Sequence, residues 1–260
     1  MRLLDLKKDY HVHSNYNDHS PQELSIENVT ICAEKINLNT LAFAEHVRKT
    51  SDWIPRYLEE IDRMISSGTK ITIISGFEAK ILKDGTIDFP VEYEGHFLIA
   101  SFHSRYNNKQ DWFSALKSAI TLPYVKVIGH LAPEESFDLT DDELLELSQL
   151  LKTNRKTVEI NAKYQRPPMK WLRVFKDNNI NFHLGSDAHN LSEVGNFNSI
   201  TNLIEYINSK HWLCVLKAFC NSELCIVPIA ISNSAKPSIN SLDAAYKIPI
   251  KTSSLKTIGN

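Results

Sequence analysis

The sequence predicts a single α/β domain folded as a (β/α) barrel, with its functional groups at the carboxyl ends of the strands. Three observations point there. Short apolar runs alternate with amphipathic helical stretches, the pattern of buried parallel strands joined by crossover helices. At 260 residues and 42% hydrophobic content the chain can bury one large core, which is ordinary for a barrel. Almost every apolar run also ends in a histidine or carboxylate, types that a buried strand end rarely holds without a task.

The first strand is expected near Leu6 to His11 and runs into His11-Val12-His13. Residues two apart on a strand face the same side, so both imidazoles can serve one ion. Ser20-Pro21-Gln22-Glu23 has the form of a capping box with proline at the first helical position and is expected to open a helix. The second strand, Thr40 to Phe43, leads to Glu45-His46, and a helix follows near Trp53 to Ser66. The third, Ile71 to Ser75, leads to Glu78; the fourth, Phe97 to Ala100, leads to His103, with a helix near Trp112 to Ala119. The fifth, Val125 to Ile128, leads to His130, and Thr140-Asp141-Asp142-Glu143 caps a helix carrying Leu144, Leu147, Leu150 and Leu151. The sixth, Thr157 to Ile160, ends at Asn161 before a helix near Lys170 to Asn178. The seventh, Ile180 to Leu184, leads to Asp187-Ala188-His189, with a last helix near Ser199 to Ser209. Strand ends of a barrel converge on one mouth, so these distant residues should meet there. From Ser232 onward the sequence is polar with little periodicity, so the domain is expected over residues 1–231 and an extended tail over 232–260.

Composition narrows the function. With 29 Lys+Arg against 31 Asp+Glu the formal net charge is −2, so no global basic field recruits nucleic acid. No apolar run approaches the roughly 20 residues of a membrane span, and charges fill the first residues where a signal peptide needs apolar ones. Cys32, Cys214, Cys220 and Cys225 have no paired spacing. The expectation is a cytoplasmic protein without membrane or nucleic-acid partners; composition does not address its oligomeric state.

Imidazole and carboxylate donors without thiolates suit an open catalytic site for zinc, manganese or iron(II). His96, His183 and His211 match no strand-end block and are expected to be structural or surface residues. A phosphorylated substrate also needs cations, and arginine can donate two parallel hydrogen bonds to phosphate. Arg105, Arg166 and, more weakly, Arg48 are the candidates, each of which could equally be a solvated surface residue. Asn161 could bind ligand or cap the backbone.

The blocks His11-Val12-His13, Ala44-Glu45-His46, Gly76-Phe77-Glu78, Ser101-Phe102-His103, Ile128-Gly129-His130 and Gly185-Ser186-Asp187-Ala188-His189 resemble, in order, the PHP (polymerase and histidinol phosphatase) superfamily. Glu159-Ile160-Asn161, with Arg166 after it, resembles the Glu-x-Asn strand and following arginine of histidinol phosphatases. The resemblance runs from residue 9 to about 195 and implies a distorted seven-stranded, TIM-like (β/α)7 barrel holding three divalent ions. It implies that His11, His13, Glu78 and Asp187 hold the first, that Glu78 bridges to a second completed by His103 and His130, and that His19, His46 and His189 hold the third. Asp18 is the alternative to His19, and Glu45 stands where aspartate is more usual. By the same resemblance Glu78, Asp187 and His189 are the expected catalytic residues. A hydroxide bridging two ions would attack a small phosphomonoester, with L-histidinol phosphate from histidine biosynthesis the leading candidate. The alternatives are a phosphoesterase for nucleotides or cyclic phosphates, a nuclease, or a non-catalytic metal-stabilised module.

Overall fold

Seven parallel strands, β1 (Lys8–Val12), β2 (Thr40–Val47), β3 (Thr72–Lys80), β4 (Phe97–Ser101), β5 (Val127–Ile128), β6 (Thr157–Asn161) and β7 (Asn181–Gly185), pair in strict chain order. The first and last strands meet at their carboxyl ends, where Asp187 N–H donates to His11 O (2.8 Å) and His13 N–H to Ala188 O (3.1 Å). This nearly closes the sheet into the distorted (β/α)7 barrel. The computed structural model describes residues 3–16, 20–131 and 137–209. Asp18, His19, His211, the three later cysteines and the expected tail from residue 232 lie outside the described residues, as does the domain boundary at 231.

Helices α1 (Ile26–Lys35), α2 (Ile54–Ser66), α3 (Lys109–Thr121), α4 (Asp141–Thr153), α5 (Met169–Asp177) and α6 (Thr201–Asn208) follow the strands, except that a short bridge and a 3-10 turn (Val91–Tyr93) join β3 to β4. The main core lies between strands and helices: Leu41, Phe43, Phe77 and Leu98 face Tyr57, Ile61, Leu116 and Leu147, all fully buried. Strands buried on both faces read as continuous apolar runs, which is why their positions show in the sequence.

One expected helix start is corrected. Pro21 leads only into a 3-10 turn (Gln22–Leu24), and α1 begins at Ile26 with Ser25 as its N-cap, whose Oγ accepts the Asn28 N–H at 3.2 Å. The buried stripe Ile26, Val29, Thr30, Ala33 has helical spacing only from Ile26, so packing sets the cap there. Thr140 forms the expected capping box, donating its N–H to Glu143 and accepting the Glu143 N–H. β2 and β3 run beyond their apolar stretches, so that His46 and Glu78 lie within strands rather than after them.

Candidate metal centre

Strand alternation and one irregularity aim the polar side chains. β1 shifts register against β2 between Asp9 and Val12. Two consecutive residues thereby reach the barrel interior: Tyr10 stacks on His183 at its base (ring centroids 5.0 Å), while His11 turns to the mouth. Bulges of this kind re-aim side chains beside functional sites. Period-two alternation then puts Ala44 and His46 on one inward row and Gly76, Glu78 and Lys80 on the next.

Glu78 is the hub. It is 1% exposed, and one carboxylate oxygen lies 3.5 Å from His11 Nε2, 3.7 Å from His13 Nε2 and 3.0 Å from His46 Nδ1. The other lies 3.2 Å from His103 Nε2 and 2.7 Å from His130 Nε2. Asp187 Oδ1 is 3.2 Å from His13 Nε2, and the His189 ring centroid is 4.3 Å from that of His13. Three donor sets each lie within 4.8 Å: His11, His13 and Glu78; His46, Glu78 and His103; His13, His46 and His189. The structure therefore brings together His11, His13, His46, Glu78, His103, His130, Asp187 and His189. In the last set His13 joins His46 and His189, while His19, expected in that role, lies outside the described residues.

A second layer of carboxylates fixes the imidazoles. Glu159, fully buried, accepts the His11 Nδ1–H at 2.6 Å, which turns the Nε2 lone pair toward Glu78 and His13. It also accepts the His130 N–H (2.8 Å) and the Asn161 amide (3.1 Å), and that amide reaches Asp187 Oδ2 as well (3.1 Å). Asn161 Oδ1 accepts the Tyr164 N–H, so this side chain both braces Asp187 and caps the loop. Glu45 accepts the Ser14 N–H and faces His13 Nδ1 at 3.5 Å. Asp9 accepts amides from His11, Ser186 and Gly195 and ties the β1 bulge to the segment after β7. Gly185 and Gly129 flank Glu159, and a Cβ on Gly185 would run into its carboxylate.

The electrostatics follow. Burial would raise the Glu78 carboxyl, but His103, His11, His46 and His130 outweigh it and hold it well below the usual range. Burial would lower His13, yet hydrogen bonds to Asp187 and Glu45 lift it to about 9. Burial and neighbouring His13 push His189 down to about 4. Glu78 Oε2 and His103 Nε2 are buried with no hydrogen-bond partner among the described residues. Unpartnered buried polar atoms are costly, and convergent nitrogen and oxygen donors are relieved by a cation between them. The residues fit divalent transition ions.

The mouth opens into a cavity of about 750 Å³, the size of a small-molecule site. Arg48 lines it; Arg105, which is exposed, and Arg166, whose backbone bonds to Asn161, do not. Lys80 and Lys163 line it instead, and neither was singled out from the sequence. Alternation from Glu78 could have found Lys80; Lys163 had no comparable signal, because a loop sets its direction. His183 is buried and His96 bonds Ser75 (3.2 Å), which fits their expected structural roles. No helix among the described residues is long and apolar enough to cross a membrane.

The family model for the PHP domain matches residues 9–163. The DNA polymerase/3'-5' exonuclease PolX of Bacillus subtilis is 27% identical over 208 residues, which are 74% of this chain and 35% of that protein. This chain thus spans about a third of that relative's length. A probable phosphatase of Aliivibrio fischeri is 27% identical over 222 residues, 78% of this chain and 86% of that protein. A probable phosphatase of Clostridium acetobutylicum is 24% identical over 214 residues, 77% and 86% of the two chains. The crystal structure of PsfC from Pseudomonas syringae PB-5123 aligns with a TM-score of 0.43 at 18% identity, over 72% of this chain and 78% of that one.

Proposed function

The chain belongs to the PHP domain family, and on that premise we propose that it is a metal-dependent phosphoesterase that hydrolyses a small phosphomonoester. The observation that carries this is the Glu78 hub, one buried carboxylate facing five imidazoles at the floor of a cavity rimmed by Arg48, Lys80 and Lys163. Two relatives named as probable phosphatases, each matched over most of its length, support the same reaction class.

In this reading His11, His13, Glu78 and Asp187 hold one ion, Glu78, His103 and His130 a second, and His46 and His189, with His19 or Asp18, a third. The mixed nitrogen and oxygen set suits zinc, manganese or iron(II). When bound, such ions supply a water of lowered pKa and neutralise charge on phosphoryl oxygens. Glu78 shares its two oxygens between donor sets and keeps them together. Glu159 and Asn161 hold His11 and Asp187 in fixed orientations, so little reorganisation is needed during the reaction. Asp187 and His189 border the cavity and would face the phosphoryl group there. A cytoplasmic setting suits the free thiol of Cys32.

L-histidinol phosphate is the named ester to test first. The experiment is phosphate release from it, from nucleotide monophosphates and from a chromogenic ester, with metal content measured on the same samples. Glu78→Gln should lower turnover by about a hundredfold or more and reduce bound metal. Equal turnover of this variant and the wild type would reject the mechanism. Inactivity of the fully metallated wild type on every ester would favour a non-catalytic metal-stabilised module.

A further inference from the structure

Two lysines at the mouth are not among the cluster's imidazole and carboxylate donors, and they stand on opposite walls. Lys80 ends β3, two residues after Glu78 on the same inward row, and is half-buried in the cavity wall. Its ammonium has no hydrogen-bond or ion-pair partner among the described residues. Lys163 follows β6, and in a ring of seven strands β3 and β6 are as far apart as the barrel allows. Lys163 Nζ lies 2.9 Å from His189 Nδ1 and 3.6 Å from Asp187 Oδ1, so it overhangs the histidine cluster directly. A cation placed there is positioned for the group that the cluster acts on. Lys80 is left facing whatever extends from that group across the cavity.

The rim is otherwise mixed. Arg48 stands one residue past β2, the strand beside β3, and adds a cation on the Lys80 side. Of the two rim carboxylates, Asp88 already accepts the Lys49 N–H at 2.9 Å, and Asp52 is exposed.

We propose that Lys80 and Lys163 form a two-point cationic clamp across the mouth, selecting a phosphomonoester that carries a second anionic group. The inference rests on the phosphoesterase reading of the same site. Lys163 takes the phosphoryl oxygens beside Asp187 and His189, and Lys80 takes a carboxylate or second phosphate at the far end. An ester whose leaving group is cationic, as the amine of L-histidinol phosphate is, gains nothing from Lys80.

The test uses non-hydrolysable ligands on the metal-loaded full chain, so that it does not depend on turnover. Calorimetry compares 4-phosphonobutyrate with butylphosphonate, which lacks the carboxylate. The wild type should bind the carboxylated ligand about tenfold more tightly, the size of one charge-assisted hydrogen bond. Lys80→Met should erase that advantage and leave butylphosphonate binding unchanged. Lys163→Met should weaken both ligands alike, at matched metal content. Equal binding of the two ligands by the wild type, or an advantage that survives Lys80→Met, overturns the clamp. Failure of the parent reading is separate: it shows as no phosphate release from any ester, whatever the binding comparison gives.

Discussion

At the scale of single residues, the carboxylates behind the histidines matter as much as the hub they surround. Glu159 holds the His11 ring by its Nδ1–H and is itself buried among inward glycines. Glu159→Gln keeps the shape but removes the anion that makes His11 a strong donor. Its metal affinity should fall about 10- to 100-fold in competition with a chelator, while the fold persists. Unchanged affinity would remove Glu159 from the centre. His183 tests a different property. Burial pushes it from 6.5 down to about 4, so between those values the unfolded chain takes up a proton that the folded chain refuses. Its contribution is complete above about pH 6.5 and is lost as the pH falls toward 4. His183→Phe, which preserves a ring against Tyr10, should remove that slope, a difference of roughly 3 kcal/mol at most. Urea unfolding of both proteins at several pH values between 4 and 7 measures it, and parallel profiles would contradict the assignment.

At the scale of elements, the helices show where local sequence decides and where packing overrides it. Thr140 and Glu143 close a capping box that local chemistry alone specifies. Ser20 and Glu23 present the same spelling, yet α1 starts five residues later because Leu24 and Ile26 are both fully buried. Ser25→Ala should therefore destabilise the protein by about 1 kcal/mol, read as a lower denaturant midpoint at unchanged slope. No change would mean that Ser25 is not the cap. In β1 a register shift lets neighbouring side chains serve two layers, Tyr10 against His183 at the base and His11 against Glu78 at the mouth. Alternation in sequence paired His11 with His13 correctly but gave no sign of the shift beneath them.

For the whole molecule, barrel closure and the metal centre are one structure. The bonds that join β1 to the segment after β7 run through His11 and Asp187 themselves. Gly185→Ala would push on Glu159 and, through it, on His11, so stability and metal affinity should fall together, by about 1 to 3 kcal/mol in stability. Thermal unfolding with and without added metal reads both, and a loss of one alone would separate them. The sequence by itself determined the strand order and the residue types at the strand ends, because a strand buried on both faces must be apolar until the point where it meets the cavity. It also placed His11, His13, His46, Glu78, His103, His130, Asp187 and His189 at one mouth, since parallel strands in a barrel deliver their carboxyl ends to one place, while His19 and Asp18 lie outside the described residues. What faces what across the mouth was decided only in three dimensions. Lys163 bonds His189 and lines the cavity, whereas Arg166, three residues on, does not line it and pairs by its backbone with Asn161. Loop direction depends on backbone hydrogen bonds made outside the strands, and no periodicity in the sequence encodes it.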